Sequence, residues 1–257
     1  MAKPHRIRCA EIWGGNHDDE MDVETSGVRA CLYSKACESA EGGDVYYFSV
    51  CGSDLLTRVA IADVVGHGSN VACTSQWLYE SLVDRMNSPQ GNAVLADLNV
   101  ATCAKGLKAM STAVVAAFYR ATNTLYFAYA GHHELLYLPK GSSQWTGLSP
   151  QDSDCVSGLP LGVVAECEFI QQEIPAKPGD RLFLYSDGLI EAANTTGELF
   201  GVQRLVELLN QIAESSLSAI RSEVLEAVMQ HTNGTLDHDD VTFMVVELTD
   251  EELERGA

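Results

Sequence analysis

Basic residues are scarce in this chain: 16 Lys and Arg stand against 36 Asp and Glu among 257 residues, a formal charge of −20. Proteins that bind DNA or RNA gather Lys and Arg into stripes that release phosphate counterions. Only the first eight residues, with Lys3, Arg6 and Arg8, are locally basic, so a nucleic-acid partner is not expected. Long apolar runs are missing too. The longest, Ala113 to Tyr119, has seven residues, far short of the roughly 20 that a helix needs to cross a bilayer, and no membrane partner is expected. The basic N-terminus has no apolar segment after it, which argues against a secretory signal and makes the cytoplasm the expected location. Eight cysteines are scattered without one C-x-x-C pair. That pattern fits neither a zinc site nor a disulfide scaffold, and buried reduced thiols are expected. With 7 prolines and no Pro/Ser-rich linker, repeat or low-complexity tract, nothing divides the chain.

What is present is a globular composition, 46% apolar and 20% charged, able to bury a substantial core. Residues 14 to 26 (GGNHDDEMDVETS) are polar enough to read as a surface loop. Short β-rich runs follow at Val28 to Tyr33, Asp44 to Val50 and Leu56 to Val65, broken by Gly, Ser and Asp. The period then changes. Leu78, Leu82 and Met86 recur at four-residue steps, and Val94, Leu95 and Leu98 share a face, which predicts two helices between residues 70 and 108. Strands return at Thr112 to Arg120, Thr124 to Ala130, Leu135 to Leu138, Cys167 to Ile174 and Arg181 to Tyr185. Two more helical faces, one from Val202 to Ala213 and one from Leu217 to Val228, precede a closing strand at Val241 to Leu248. Runs of strands with helices grouped between them predict an α+β fold with antiparallel sheets.

Four acids stand out, each at the end of an apolar strand and beside a turn residue: Asp44 in EGGDVYYF, Asp63 in RVAIADVVGHG, Asp187 in RLFLYSDGLIEA and Asp239 in LDHDDVTFMVVEL. A strand-end carboxylate can lean into a shared cleft while the strand anchors its backbone, whereas the plainer reading of each is a turn Asp. Carboxylates brought together repel one another unless divalent cations neutralise them, and oxygen-only ligands select Mg²⁺ or Mn²⁺ over zinc. His67 and His132 lie in Gly-flanked turns, where local packing is preferred over a role as general acid. Asp237 and Asp240 are left unassigned.

The segments GGDVYY, ADVVGHG, TAVVAAFYRATNTLYFAYAGHHELLYL, GLPLGV, KPGDRLFLYSDGLIEA, GELFG and DDVTFMVVEL occur in that order. Together they resemble the SpoIIE/RsbU-type branch of the PPM metal-dependent serine/threonine protein phosphatases. The resemblance implies an αββα sandwich, two central antiparallel β-sheets flanked by pairs of helices. It implies a phosphatase domain over residues 28–249, with 1–27 as an N-terminal extension and surface loop and 250–257 as an acidic tail. It implies two Mn²⁺ or Mg²⁺ ions, with Asp63 as the bridging carboxylate, the Val64 carbonyl as a further ligand, Asp187 and Asp239 on the second ion, and Asp44 near the same metals. The chain departs from the pattern at Tyr47, where a second acid is common, and at Val65, where serine is common. His132-His133 replaces the Asp-Ser of a third metal site, so no third ion is expected. Arg29 and Lys35 are the candidates for holding substrate phosphate, and solubility is their plainer role.

The function implied is hydrolysis of phosphoserine or phosphothreonine on a phosphorylated regulatory protein of the anti-sigma-factor-antagonist type. Two alternatives stand beside it: a catalytically weak phosphoprotein-binding module, and a phosphatase of small-molecule phosphoesters. Fewer than 30 residues precede the matched region, too few for another domain. Control is therefore expected from a regulatory partner or a homodimer acting on the helix after Gly68, through Val71, Trp77, Leu78 and Leu82, unless that helix simply packs on the core. The remaining acids, including 17-HDDEMDVE-24, are expected as solvated surface.

Overall fold

The computed structural model describes residues 3–38, 40–66, 71–85, 88, 90–149 and 158–253. Its central strands are apolar at nearly every position because both of their faces are covered. In β5 (Glu41–Val50), Tyr46, Phe48 and Val50 point one way and Val45 and Tyr47 the other, and all five are buried. With β6 (Leu56–Val64), β7 (Ser111–Tyr119), β8 (Thr124–Ala130), β11 (Gln171–Pro175) and β2 (Ile12–His17), β5 forms a six-stranded antiparallel sheet in the order β11-β8-β7-β6-β5-β2.

The second sheet has seven strands in the order β1-β3-β4-β13-β12-β9-β10: His5–Ile7, Asp19–Thr25, Val28–Lys35, Val241–Leu248, Arg181–Tyr185, Leu136–Leu138 and Thr146–Gly147. Its pairings are antiparallel except that of β1 with β3. Leu32, Tyr46, Phe48, Ile61, Phe118, Phe127, Leu184 and Met244 fill the layer between the sheets. Outside the six-stranded sheet, α1 (Ala72–Arg85) and α2 (Gly91–Lys105) bury Leu78, Leu82, Val94, Leu95 and Leu98 against Tyr47, Ala60, Ala62 and Val115. Outside the other, α4 (Gly201–Gln211) and α5 (Leu217–His231) bury Leu205, Leu209, Ile220, Val224 and Val228 against Tyr33, Phe183 and Phe243. The result is the expected α+β architecture, a helix–sheet–sheet–helix sandwich with three apolar layers.

The segment read as a surface loop is strand instead. Residues 14 to 26 contribute most of β2 and all of β3, so the two sheets begin within the residues taken as an extension. In β3, Val23 and Thr25 alternate inward, while the charges are held by distant arginines: Arg6 to Glu24 at 3.0 Å and Arg221 to Asp22 at 2.9 Å. Within that acidic run Glu20, Asp22 and Glu24 are ion-paired, while Asp18 and Glu20 are exposed as expected. The described part of the tail is likewise tied down, with Glu251 paired to Arg29 and Glu252 to Arg120. The cysteines also differ from expectation. Of the seven described, all are free thiols, but only Cys31 is buried and Cys73 is exposed; Cys155 lies outside the described residues.

Candidate functional site

Strand parity decides where the first two acids point. Asp44 shares a face with Tyr46 and Phe48, and Asp63 shares a face with Ile61, so both aim into the gap between the sheets at the end where the strands stop. They are direct cross-strand partners in the β5–β6 ladder, a position in which side chains stand about 5 Å apart. The facing sheet brings the other two. Asp187 opens the four-residue helix α3 (Asp187–Ile190) directly after β12, and Asp239 lies in the loop just before β13. These strands are hydrogen-bonded neighbours, so their ends meet at one edge of the sandwich.

A hydrogen bond joins the sheets there. The Ser186 hydroxyl donates to Asp44 Oδ2 at 2.7 Å, while its oxygen accepts the Thr242 amide at 3.0 Å. Asp240, left unassigned from sequence, is 3% exposed and accepts the Cys37 and Gly43 amides at 2.8 and 2.6 Å. Its own amide donates to Asp239 Oδ1 at 2.8 Å. One carboxylate therefore ties the Asp239 loop to the segment entering Asp44. Asp237 is exposed. Gly188 permits the loops to close up, since an added Cβ would overlap the Asp240 carbonyl, and at Gly43 one would meet the Val64 and Gly66 carbonyls at 3.1 and 3.0 Å.

The electrostatics are those of clustered carboxylates. Burial, and then the charges of Asp44, Asp187, Asp239 and Asp240, push the Asp63 carboxyl well above the ordinary range. Burial raises Asp44 as well, with hydrogen bonds from Ser186 and Thr242 pulling it back and Asp240 and Asp187 pushing it further up. Among the described residues no Lys or Arg pairs with Asp44, Asp63 or Asp187. Nor do three or more His, Cys, Asp or Glu groups among them converge tightly enough to enclose an ion. The acids share a field without sharing a coordination point, as mutual repulsion demands of carboxylates that have no cation between them. Their oxygen-only chemistry and missing counter-charge fit hard divalent cations.

His132 is a structural group here. Its Nε2 faces the Tyr185 carbonyl at 3.1 Å and its Nδ1 the Thr112 hydroxyl at 2.8 Å. Because a carbonyl only accepts, Nε2 carries the proton and Nδ1 accepts from Thr112. Burial, then His133, lowers its pKa to about 3, so it remains neutral. Thr112 is in turn the ladder partner of Asp63, and His132 thereby clamps β7 to β12 across the sheets. His67 and Gly68 lie outside the described residues.

The two phosphate-anchor candidates separate. Arg29 lies at the far end of β4, paired with Glu251, whereas Lys35 sits at the near end opposite Val241 and exposed. Tyr47 is buried under α1 and α2, and Val65 is exposed. Val71, Leu78 and Leu82 pack in the core, and Trp77 lies beneath the Lys105 ammonium at 4.3 Å. The helix after Gly68 thus presents none of the three aliphatic residues to a partner. Ser186, Thr112, Thr242 and Asp240 went unread from sequence; the only local signal was a hydroxyl or second acid adjoining a strand-end Asp.

The comparisons agree with this architecture. A family model described as Stage II sporulation protein E (SpoIIE) matches residues 53–249. Phosphoserine phosphatase RsbU of Bacillus subtilis (strain 168) is 26% identical over 210 residues, covering 79% of this chain and 58% of RsbU. The chain spans between 14% and 58% of the curated relatives it matches. Among solved structures, the RsbU and RsbW domains of Rv1364c from Mycobacterium tuberculosis superpose with a TM-score of 0.74 at 19% identity, covering 93% of this chain and 64% of that one. The catalytic domain of the serine/threonine protein phosphatase PstP, in complex with 2 manganese ions, gives 0.58 at 19% identity, covering 87% and 99%.

Proposed function

The chain belongs to the SpoIIE family, and from that footing we propose that it is a metal-dependent protein phosphatase that hydrolyses phosphoserine or phosphothreonine on a regulatory partner protein. The observation that carries this reading is the pair of buried Asp44 and half-buried Asp63, cross-strand neighbours with raised pKa values and no cationic partner among the described residues. Such an arrangement is costly to keep unless it serves to hold cations.

When bound, two Mn²⁺ or Mg²⁺ ions supply Lewis acidity, making water reactive toward phosphorus at neutral pH and offsetting charge on the phosphoryl oxygens. Asp63, with the Val64 carbonyl beside it, presents oxygens from a rigid central strand, and Asp187 and Asp239 present theirs from the facing sheet. Asp44 is oriented by the Ser186 hydroxyl. Asp240 fixes the Asp239 loop through the Cys37 and Gly43 amides. His132 holds the sheet ends in register and delivers no proton. RsbU, a named phosphoserine phosphatase, and PstP, a named serine/threonine protein phosphatase, support this substrate class, and an anti-sigma-factor antagonist is the type of partner we favour.

The test is turnover of an aryl phosphate with Mn²⁺, its abolition by chelator, and its loss in Asp187→Asn and Asp239→Asn. Activity that survives chelation would overturn the reading. A second reading, a phosphoprotein-binding module, would be selected by inactivity with every divalent ion tried.

A further inference from the structure

The other end of β6 carries a second unbalanced charge, of opposite sign. Arg58 is 6% exposed. Its Nε is sealed without an acceptor, and among the described residues no carboxylate pairs with its guanidinium. Ser49 is its direct partner in the β5–β6 ladder, and Tyr47 lies two residues further along the same face. The Ser49 and Tyr47 hydroxyls are sealed beside it, facing each other. The Arg58 guanidinium and these two hydroxyls therefore adjoin on the helix-side face of the sheet, about 17 Å along β6 from Asp63.

Arg58 opens onto a cavity of about 580 Å³ lined also by Leu56, Gln90, Tyr119, Tyr126 and Gln171. It shares a smaller concavity of about 160 Å³ with Tyr47 and Ser49. The larger volume lies in the range of small-molecule sites, with Leu56 and two tyrosine rings among the polar groups of Cys51, Ser53, Gln90 and Gln171. A buried guanidinium without an anion costs several kcal/mol, and truncating it to an apolar residue would remove that cost. Its retention at the wall of this cavity points to a ligand that supplies the opposite charge. One guanidinium balances one negative charge, and the chain's net −20 repels polyanions.

We infer that this cavity binds a small organic monoanion, its carboxylate paired with Arg58 and its flat apolar body against Tyr119 and Tyr126. Arg's planar fork matches a carboxylate bidentately, and the two tyrosines offer ring surface for the body. The site is independent of the phosphatase reading, since neither its residues nor its test involves the acid cluster.

Benzoate is the probe, with benzyl alcohol as its uncharged counterpart. In ¹H–¹⁵N spectra of the whole chain, benzoate is expected to shift Arg58, Gln90, Tyr119, Tyr126 and Gln171 saturably, with a Kd on the order of 1 mM, as suits a ligand of so few atoms. Benzyl alcohol should bind at least tenfold more weakly. Arg58→Met should abolish the benzoate shifts while melting no lower than the wild type in ligand-free buffer. Equal binding of the alcohol, shifts elsewhere only, no saturation, or unchanged benzoate affinity in Arg58→Met would each overturn the inference. If Arg58→Met fails to fold, the wild-type titrations decide alone.

Discussion

Asp63→Asn is expected to stabilise the metal-free protein, the reverse of what removing a half-buried polar group usually does. Asp63 has no hydrogen bond to lose among the described contacts, and every influence on its carboxyl, burial first and then Asp44, Asp187, Asp239 and Asp240, disfavours the charged form. Two carboxylates about 5 Å apart repel by about 3 kcal/mol at an effective dielectric of 20. Sharing a proton relieves part of this, leaving a gain of about 1–3 kcal/mol for the amide. At roughly 2–4 °C per kcal/mol for a domain of this size, the variant should melt about 2–12 °C higher in chelator at pH 8.

The pH dependence follows from the same cause. A carboxyl whose folded pKa lies above its unfolded value contributes stability that is fully present below the unfolded pKa and is lost as pH rises through the folded one. In chelator, the variant's advantage should therefore shrink toward pH 4 and grow through neutrality. Saturating Mn²⁺ should shrink or reverse the variant's advantage, because the wild type gains about 2.7 kcal/mol at one hundred times Kd and the variant gains less. Scanning calorimetry of both proteins at pH 4.5, 6 and 8, with chelator and with Mn²⁺, measures every element of this. A variant that melts at or below the wild type in chelator at pH 8 would refute the reasoning.

His132→Ala should cost about 1–3 kcal/mol by stranding the Thr112 hydroxyl and Tyr185 carbonyl, yet leave the limbs of the pH–rate profile where they are, because the imidazole is already neutral with a pKa of about 3. Urea titration and initial rates between pH 6 and 9 separate the two effects. Asp240→Ala, which leaves the half-buried Cys37 and buried Gly43 amides without their acceptor, should lower stability by about 2–4 kcal/mol. Asp239→Asn should reduce Mn²⁺-dependent turnover at least tenfold with a stability change near the ordinary surface range. Gly188→Ala, which drives a methyl into the Asp240 carbonyl, should cost about 3 kcal/mol or more and be read directly by the urea midpoint.

How far a residue could be read in advance depended on how far away its partners lay in the chain. Thr124–Ala130, Arg181–Tyr185 and Val241–Leu248 were legible to the residue because strands buried on both faces are marked by composition alone. β3 was illegible because its inward alternation is masked by acids whose partners are elsewhere: Arg221 lies 199 positions from Asp22. The four strand-end aspartates could be singled out, since Gly and Asp at a strand terminus is a local pattern. Which of two adjacent acids faces the cluster could not be read from that pattern, because the amides that occupy Asp240 belong to Cys37 and Gly43, about 200 residues away.

The same dependence accounts for both unbalanced charges on β6. Alternation places Asp63 toward the gap between the sheets and Arg58 toward the helices, so one strand carries an unpaired anion at one end and an unpaired cation at the other, on opposite faces. They cannot neutralise each other across that separation and the sheet between them. On the readings proposed above, cations would meet the first and an anion the second. An Asp63→Asn, Arg58→Met double variant should then gain stability additively in chelator, within about 0.5 kcal/mol of the summed single effects, as sites more than 10 Å apart without shared partners do. A coupling energy above about 1 kcal/mol would mean that the two ends are linked through the strand, and that neither charge stands alone.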